Sequence, residues 1–186
     1  MDNAAKRGFT QCAPKLLCLL WLAVVPGIPA RAGAGEPRPE APAVLDRFLG
    51  DWETETWIRH DSPPAREVHT KGRATCRKTL AGRYVEFRSW TVPSRAAELQ
   101  IMTYDASAHR FRQWVFDSDG YRHQADGAWD PATSTLTWAG TINGAAFVIE
   151  DHWISTGRLE WTLRRKGADG RSLQMIRGLV TRRKAS

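Results

Sequence analysis

The chain is poor in cysteine. Cys12, Cys18 and Cys76 are the only three in 186 residues, and the first two stand in an N-terminal segment that reads as a cleaved leader. With Cys76 left alone no intramolecular disulfide can form, so stability must come from a packed core. Its alternation with Val68, Ala74 and Leu80 predicts a buried, inert thiol. Long apolar runs are lacking too: LLCLLWLAVV, residues 16–25, falls well short of the roughly 20 residues that a spanning helix needs. There is no Gly-x-Ser-x-Gly elbow, no phosphate loop and no dinucleotide fingerprint, and no pair of His or Cys has metal-ligand spacing. These absences point away from the familiar hydrolases, nucleotide enzymes and zinc modules, and they imply no metal and no cofactor. Beyond residue 50 nothing carries the 3.6 period of a core helix.

What is present begins with a targeting signal. Lys6, Arg7 and Lys15 form a basic stretch ahead of the apolar run, Pro26, Gly27 and Pro29 break it, and Ala30-Arg31-Ala32 and Ala32-Gly33-Ala34 place small residues at signal-peptidase spacing. Residues 1–34 are therefore expected to be a signal peptide, and the mature protein to be exported to the periplasm or beyond the cell. Removing them takes four basic residues and one acidic residue, and lowers the formal net charge from +7 to +4. The remaining positive charge is arginine scattered along the chain, so no nucleic-acid partner is expected, and no transmembrane segment in the mature form. Residues 35–43, rich in Pro and charge, read as a disordered leader.

The domain proper is expected over 44–186. Val44, Leu45, Phe48 and Leu49 fall on one face of a short helical turn, suited to plug a barrel end. From Trp52 the period changes to two, with ten candidate strands at 52–60, 67–80, 83–92, 99–104, 111–117, 121–129, 135–139, 146–154, 159–165 and 173–181. Ala81-Gly82, Ser118-Asp119-Gly120, Asp130-Pro131 and Asn143-Gly144 punctuate them as turns, and Gly72 marks a bulge or bend in the second. Such a meander predicts an all-β fold, a single antiparallel up-and-down barrel, because closure hides both the apolar face and the edges. A flattened sandwich is the alternative.

Eight tryptophans follow the leader. Trp138 shares its strand face with Leu136, Trp153 with Phe147 and Ile149, and Trp161 with Leu159 and Leu163, so these three are expected inside. Trp114 shares a phase with both Arg112 and Phe116, which leaves its side open. Glu86 and Arg88 alternate with Val85 and Phe87: either the charges form an inward ion pair, or they face solvent.

The series Leu49-Gly50-Asp51-Trp52, Leu80-Ala81-Gly82-Arg83-Tyr84, Thr103-Tyr104-Asp105, Trp114-x-x-Asp117-Ser118 and Gly127-x-Trp129-Asp130 resembles a bacterial family of calycin-like domains of unknown function (number 1579). Calycins include the lipocalins and fatty-acid-binding proteins. The resemblance covers about residues 44–183 and implies that Trp52 closes the barrel base against Arg177 or Arg182 of the last strand. It implies no established activity. Haem-binding barrels of the nitrobindin type carry a proximal His in a late strand, and here no His follows His152.

Asp151 lies in phase with Phe147, Ile149 and Trp153, so it points into the barrel or sits solvated at its mouth. If inside, it needs a partner, for which Arg165 and Arg177 are candidates, or its pKa rises. His123, in phase with Tyr121, Ala125 and Trp129, is the second candidate for an inward polar group. The reading that follows is an exported barrel binding a small apolar or amphipathic ligand through Trp138, Trp153, Trp161, Asp151 and His123, rather than an enzyme. It expects a cavity of at least about 300 Å³. The alternatives are a filled barrel serving as a protein-interaction module, and an enzyme using Asp151 and His123.

Overall fold

The alternation becomes ten strands in the computed structural model, which describes residues 41–60, 66–94, 96–167 and 172–184. They are β1 (Gly50–His60), β2 (Arg66–Thr79), β3 (Tyr84–Val92), β4 (Ala97–Asp105), β5 (Arg110–Asp117), β6 (Arg122–Asp130), β7 (Thr135–Ile142), β8 (Ala145–Ser155), β9 (Arg158–Lys166) and β10 (Ser172–Arg182). Each pairs antiparallel with the next, and β1 also pairs with β10, from Trp52 opposite Arg182 to His60 opposite Gln174. The sheet closes on itself, which leaves no edge to recruit a foreign strand. The signal segment, the Pro63-Pro64 loop and most of the leader lie outside the described residues. Among the described residues no helix is long and apolar enough to cross a membrane.

Closure puts one phase of every strand inside. Trp52, Ala74 and Cys76, Val85 and Phe87, Met102, Phe111 and Val115, Ala125, Leu136 and Trp138, Phe147 and Trp153, Leu159, and Val180 are all buried. The opposite phase carries ion pairs such as Arg110–Asp126 at 2.7 Å and Arg164–Glu150 at 2.6 Å. Glu86 and Arg88 belong to this outer phase and pair with each other, so the second of their two arrangements holds. Trp114 also faces outward, since its neighbours Gln113 and Val115 are buried.

The expected helical turn is α1 (Ala41–Asp46), which begins three residues earlier than read and takes Ala41 out of the leader. Backbone bonds from Arg47, Phe48 and Leu49 to Val44, Leu45 and Asp46 carry the turn on to Leu49. Val44, Leu45 and Phe48 are buried, and Lys78 holds Asp46 at 2.8 Å, so the segment caps one end of the barrel. Trp52 completes the closure. Its indole Nε1 donates to the Phe48 carbonyl at 2.7 Å, and the Arg182 guanidinium lies 4.2 Å over its ring while donating to the Leu49 and Arg47 carbonyls. Arg177 does not share this role. It lies 5.1 Å over Trp57 on the outer face, one step out of phase with Arg182 because of strand alternation.

Gly72 introduces no bulge: pairing of β2 with both β1 and β3 runs through it without a shift. A side chain there would collide with the Trp90 carbonyl oxygen and lie 2.8 Å from Thr54 Oγ1, so the glycine allows close approach of the strands. Leu80 is not in the core either. It sits in the β2–β3 turn with φ 51° and is 68% exposed. Cys76, by contrast, is fully buried, and burial pushes its thiol up to about 12. A thiolate is thus scarce at ordinary pH. Folded protein made without residues 1–34, and so without Cys12 and Cys18, should at about pH 8 leave Ellman's reagent unreacted, and one thiol should appear on addition of denaturant; fast labelling of the native state would contradict this burial.

Candidate functional site

The end opposite α1, where β1, β3, β5, β7 and β9 finish, is less tightly filled. Between it and the closed-end core lies a cavity of about 210 Å³. Phe87, Ile149, Trp161, Leu163 and Ile176 supply apolar wall, Thr54, Thr56, Thr70 and Ser89 supply hydroxyls, and Phe48 reaches it from the plug. A wider groove of about 820 Å³ runs outside the barrel past Leu45, Tyr84 and Trp114. None of the buried unpartnered polar atoms among the described residues lies on that groove, so the interior cavity is the better candidate.

One wall of the cavity is a polar relay across β4 and β5. Gln100 Nε2 donates to Glu98 Oε1 at 2.6 Å, and Gln113 Nε2 donates to Gln100 Oε1 at 2.8 Å. With Glu98 ionised its carboxylate can only accept, so each amide passes its NH₂ toward Glu98 and leaves its oxygen behind. Gln113 Oε1 is the free end. It is buried without a partner, on a residue only 3% exposed. Across the β5–β6 pairing, His123 stands diagonally from Gln113, and its Nε2 is also buried without a partner. Phe147 packs edge-on against the imidazole at 4.9 Å. Burial lowers the His123 pKa, a shift that Asp117 at the rim opposes, and burial raises that of Glu98 despite the bond from Gln100.

Asp151 faces the same cavity from β8. Its Oδ2 accepts from Trp138 Nε1 at 2.8 Å, so the partner is an indole and not Arg165 or Arg177. Burial pushes its carboxyl up to about 7, with the indole bond pulling the other way. Glu150 and His152 flank it on the outside, where Glu150 pairs with Arg164 and His152 meets Thr135 Oγ1 at 3.2 Å.

Of the residues expected to line a cavity, Trp161, Asp151 and His123 do so. Trp138 and Trp153 are interior but packed beneath it toward the closed end: Trp153 lies 5.1 Å from Phe48 and 6.0 Å from Trp52, and Trp138 meets Phe111 at 6.3 Å. They fill volume that the sequence reading assigned to a ligand, which is why the cavity is nearer 210 than 300 Å³. Inward glycines set these rings in place. Gly127 stands opposite Trp138, Gly140 opposite Phe147 and Gly178 opposite Trp161, and in each pair a Cβ on the glycine would run into the ring. The aromatic lies over the bare backbone, as cross-strand aromatics do over sheet glycines. Gly178→Ala should therefore drive the Trp161 indole into the cavity, with a shifted tryptophan emission and reduced ligand capacity; an unchanged spectrum would speak against this packing.

Residues 37–182 match the family described as "Protein of unknown function (DUF1579)". The chain belongs to that family. Its fold is shared with the S-type phycobiliprotein lyase CPES from Guillardia theta, at 9% identity and a TM-score of 0.57, covering 81% of this chain and 97% of the lyase. It is also shared with Rv2717c from M. tuberculosis, at 12% identity and a TM-score of 0.59, covering 77% of this chain and 98% of the other. These likenesses show a shared barrel fold. A sequence comparison with curated proteins finds no match.

Proposed function

We propose that this DUF1579 protein is a ligand-binding barrel that holds a small amphipathic molecule in its interior cavity. One observation carries the reading: the cavity has two buried polar atoms on its wall, Gln113 Oε1 and His123 Nε2, without a partner. Such atoms cost stability unless something satisfies them, and a ligand's polar group does so where a filled core could not. Size limits the ligand. A cavity of roughly 150 Å³ holds one benzene, so about 210 Å³ suits a single substituted ring or a short chain. Anything longer must protrude through the open end. Export belongs to the same proposal, on the strength of the basic, apolar and small-residue segments of residues 1–34.

The test is a thermal-shift screen of small amphiphiles against the protein and its Val115→Phe variant, which fills the cavity from β5. A ligand that binds only the folded state raises the melting temperature, and raises it further the more its concentration exceeds its Kd. The expected result is a subset of compounds that stabilise the parent and lose that effect in Val115→Phe. Shifts that survive the filled cavity would locate binding elsewhere.

A further inference from the structure

We infer that the ligand this cavity is built for is a small organic cation bearing N–H donors, a protonated amine attached to one ring or a short apolar chain. The inference rests on the ligand-binding reading and adds the ligand's charge and hydrogen-bonding sense. It stands on an imbalance between the two faces of the sheet. Outside, carboxylates meet cations: Asp51 with Arg77, Glu55 with Lys71, Glu67 with Arg177, Asp126 with Arg110. Inside, Glu98 and Asp151 both line the cavity, and among the described residues neither has a basic side chain within ion-pair distance; Lys71 also borders the cavity, but its ammonium pairs with Glu55 at 3.7 Å. Their hydrogen bonds come from neutral donors, the Gln100 amide and the Trp138 indole.

The relay extends the same sign to a neutral group. Because Glu98 accepts from Gln100 and Gln100 accepts from Gln113, the chain ends in an unpartnered acceptor, Gln113 Oε1, on a side chain 3% exposed. Two carboxyl groups and a free amide oxygen make the wall rich in acceptors, so the complementary ligand is rich in donors. An ammonium supplies up to three N–H donors and the missing positive charge together. Trp161 and Phe87 on the lining supply aromatic, apolar surface for the ligand's carbon skeleton. A metal ion does not fit as well: no group of three or more His, Cys, Asp or Glu among the described residues is placed to hold one. The upward pKa shifts of Glu98 and Asp151 agree with carboxyl groups that lack their counter-ion.

Isothermal titration with three probes of matched size tests the assignment: 2-phenylethylamine, 2-phenylethanol and phenylacetate, at about pH 7.5 where the amine is charged. The expected order is amine tighter than alcohol by about tenfold or more, with the anion weakest. Asp151→Asn and Glu98→Gln keep size and hydrogen-bonding shape while removing charge. Each should reduce the preference for amine over alcohol, and circular dichroism should show both folded. An alcohol that binds as tightly as the amine, or a preference untouched by both substitutions, overturns the cation assignment and leaves ligand binding standing. No saturable binding by any of the three at roughly millimolar concentration overturns the assignment and counts against the ligand-binding reading as well.

Discussion

Asp151→Asn should stabilise the protein at about pH 8 and change it little at about pH 4. In the unfolded chain this carboxyl ionises near its ordinary value of 3.8, whereas in the barrel burial holds it up to about 7. Between those values the native state keeps a proton that the unfolded state has lost, so rising pH favours unfolding. The penalty is absent below 3.8, grows through the window, and levels off above about 7. Three pH units correspond to a contribution on the order of 4 kcal/mol at its largest. Asparagine carries no such penalty, and its amide oxygen can still accept from Trp138 Nε1. Urea unfolding of parent and variant across this range isolates Asp151, because Glu98 and His123 titrate in both. A variant less stable than the parent at pH 8 would mean that the buried carboxylate has a counter-charge in the free protein. The sign matters for function. A group that destabilises the empty barrel near neutral pH, and that neutral asparagine would improve, is what a ligand's positive charge would relieve.

The second large effect is at the closed end. Trp52→Ala should lower the free energy of unfolding by about 3–5 kcal/mol, the range seen for truncating large buried aromatics. Trp52 is 1% exposed, its indole donates to the Phe48 carbonyl, its ring lies under Arg182, and it packs tilted against Trp153. Truncation opens a void and leaves the plug with fewer ties, so hydrogen exchange at residues 44–49 should accelerate beyond the global loss of stability. Phe48 also floors the cavity, so closure and ligand capacity are linked through the same segment. A loss below about 1 kcal/mol would show that α1 and Arg182 close the barrel without the tryptophan.

How far these features were legible in the chain follows from what alternation can and cannot encode. All ten strands could be read, because period two and turn residues are local signals. The inward phases of β7, β8 and β9 could also be read, since Leu136, Phe147 and Leu159 mark them with apolar side chains. Alternation alone left β3 open: Tyr84 and Trp90 make its outer phase look as apolar as its inner one. The register decides it, with Phe87 opposite Cys76 and Val85 opposite Met102. The Glu98–Gln100–Gln113 relay went unread for a related reason. Polar residues in one phase look like a solvent face, even though Met102 and Tyr104 share that phase on β4, as Phe111 and Val115 do on β5. The bond between Trp138 and Asp151 joins positions 13 residues apart, and only strand pairing brings Leu136 opposite Asp151 with Trp138 two residues along on the same face. Cavity volume was overestimated because aromatic content says how much ring is inside and not where it stacks. The inward glycines at 127, 140 and 178 were the available signal, each opposite the ring it accommodates.

The central claim is that the barrel interior is a ligand site, and native mass spectrometry of the protein purified from its own cells tests it most directly. A co-purifying small molecule is expected, of a size that suits a cavity of about 210 Å³, which leaves on denaturation and is absent from Val115→Phe. A clean apo mass from the native source, with no compound able to shift the melting temperature, would contradict it.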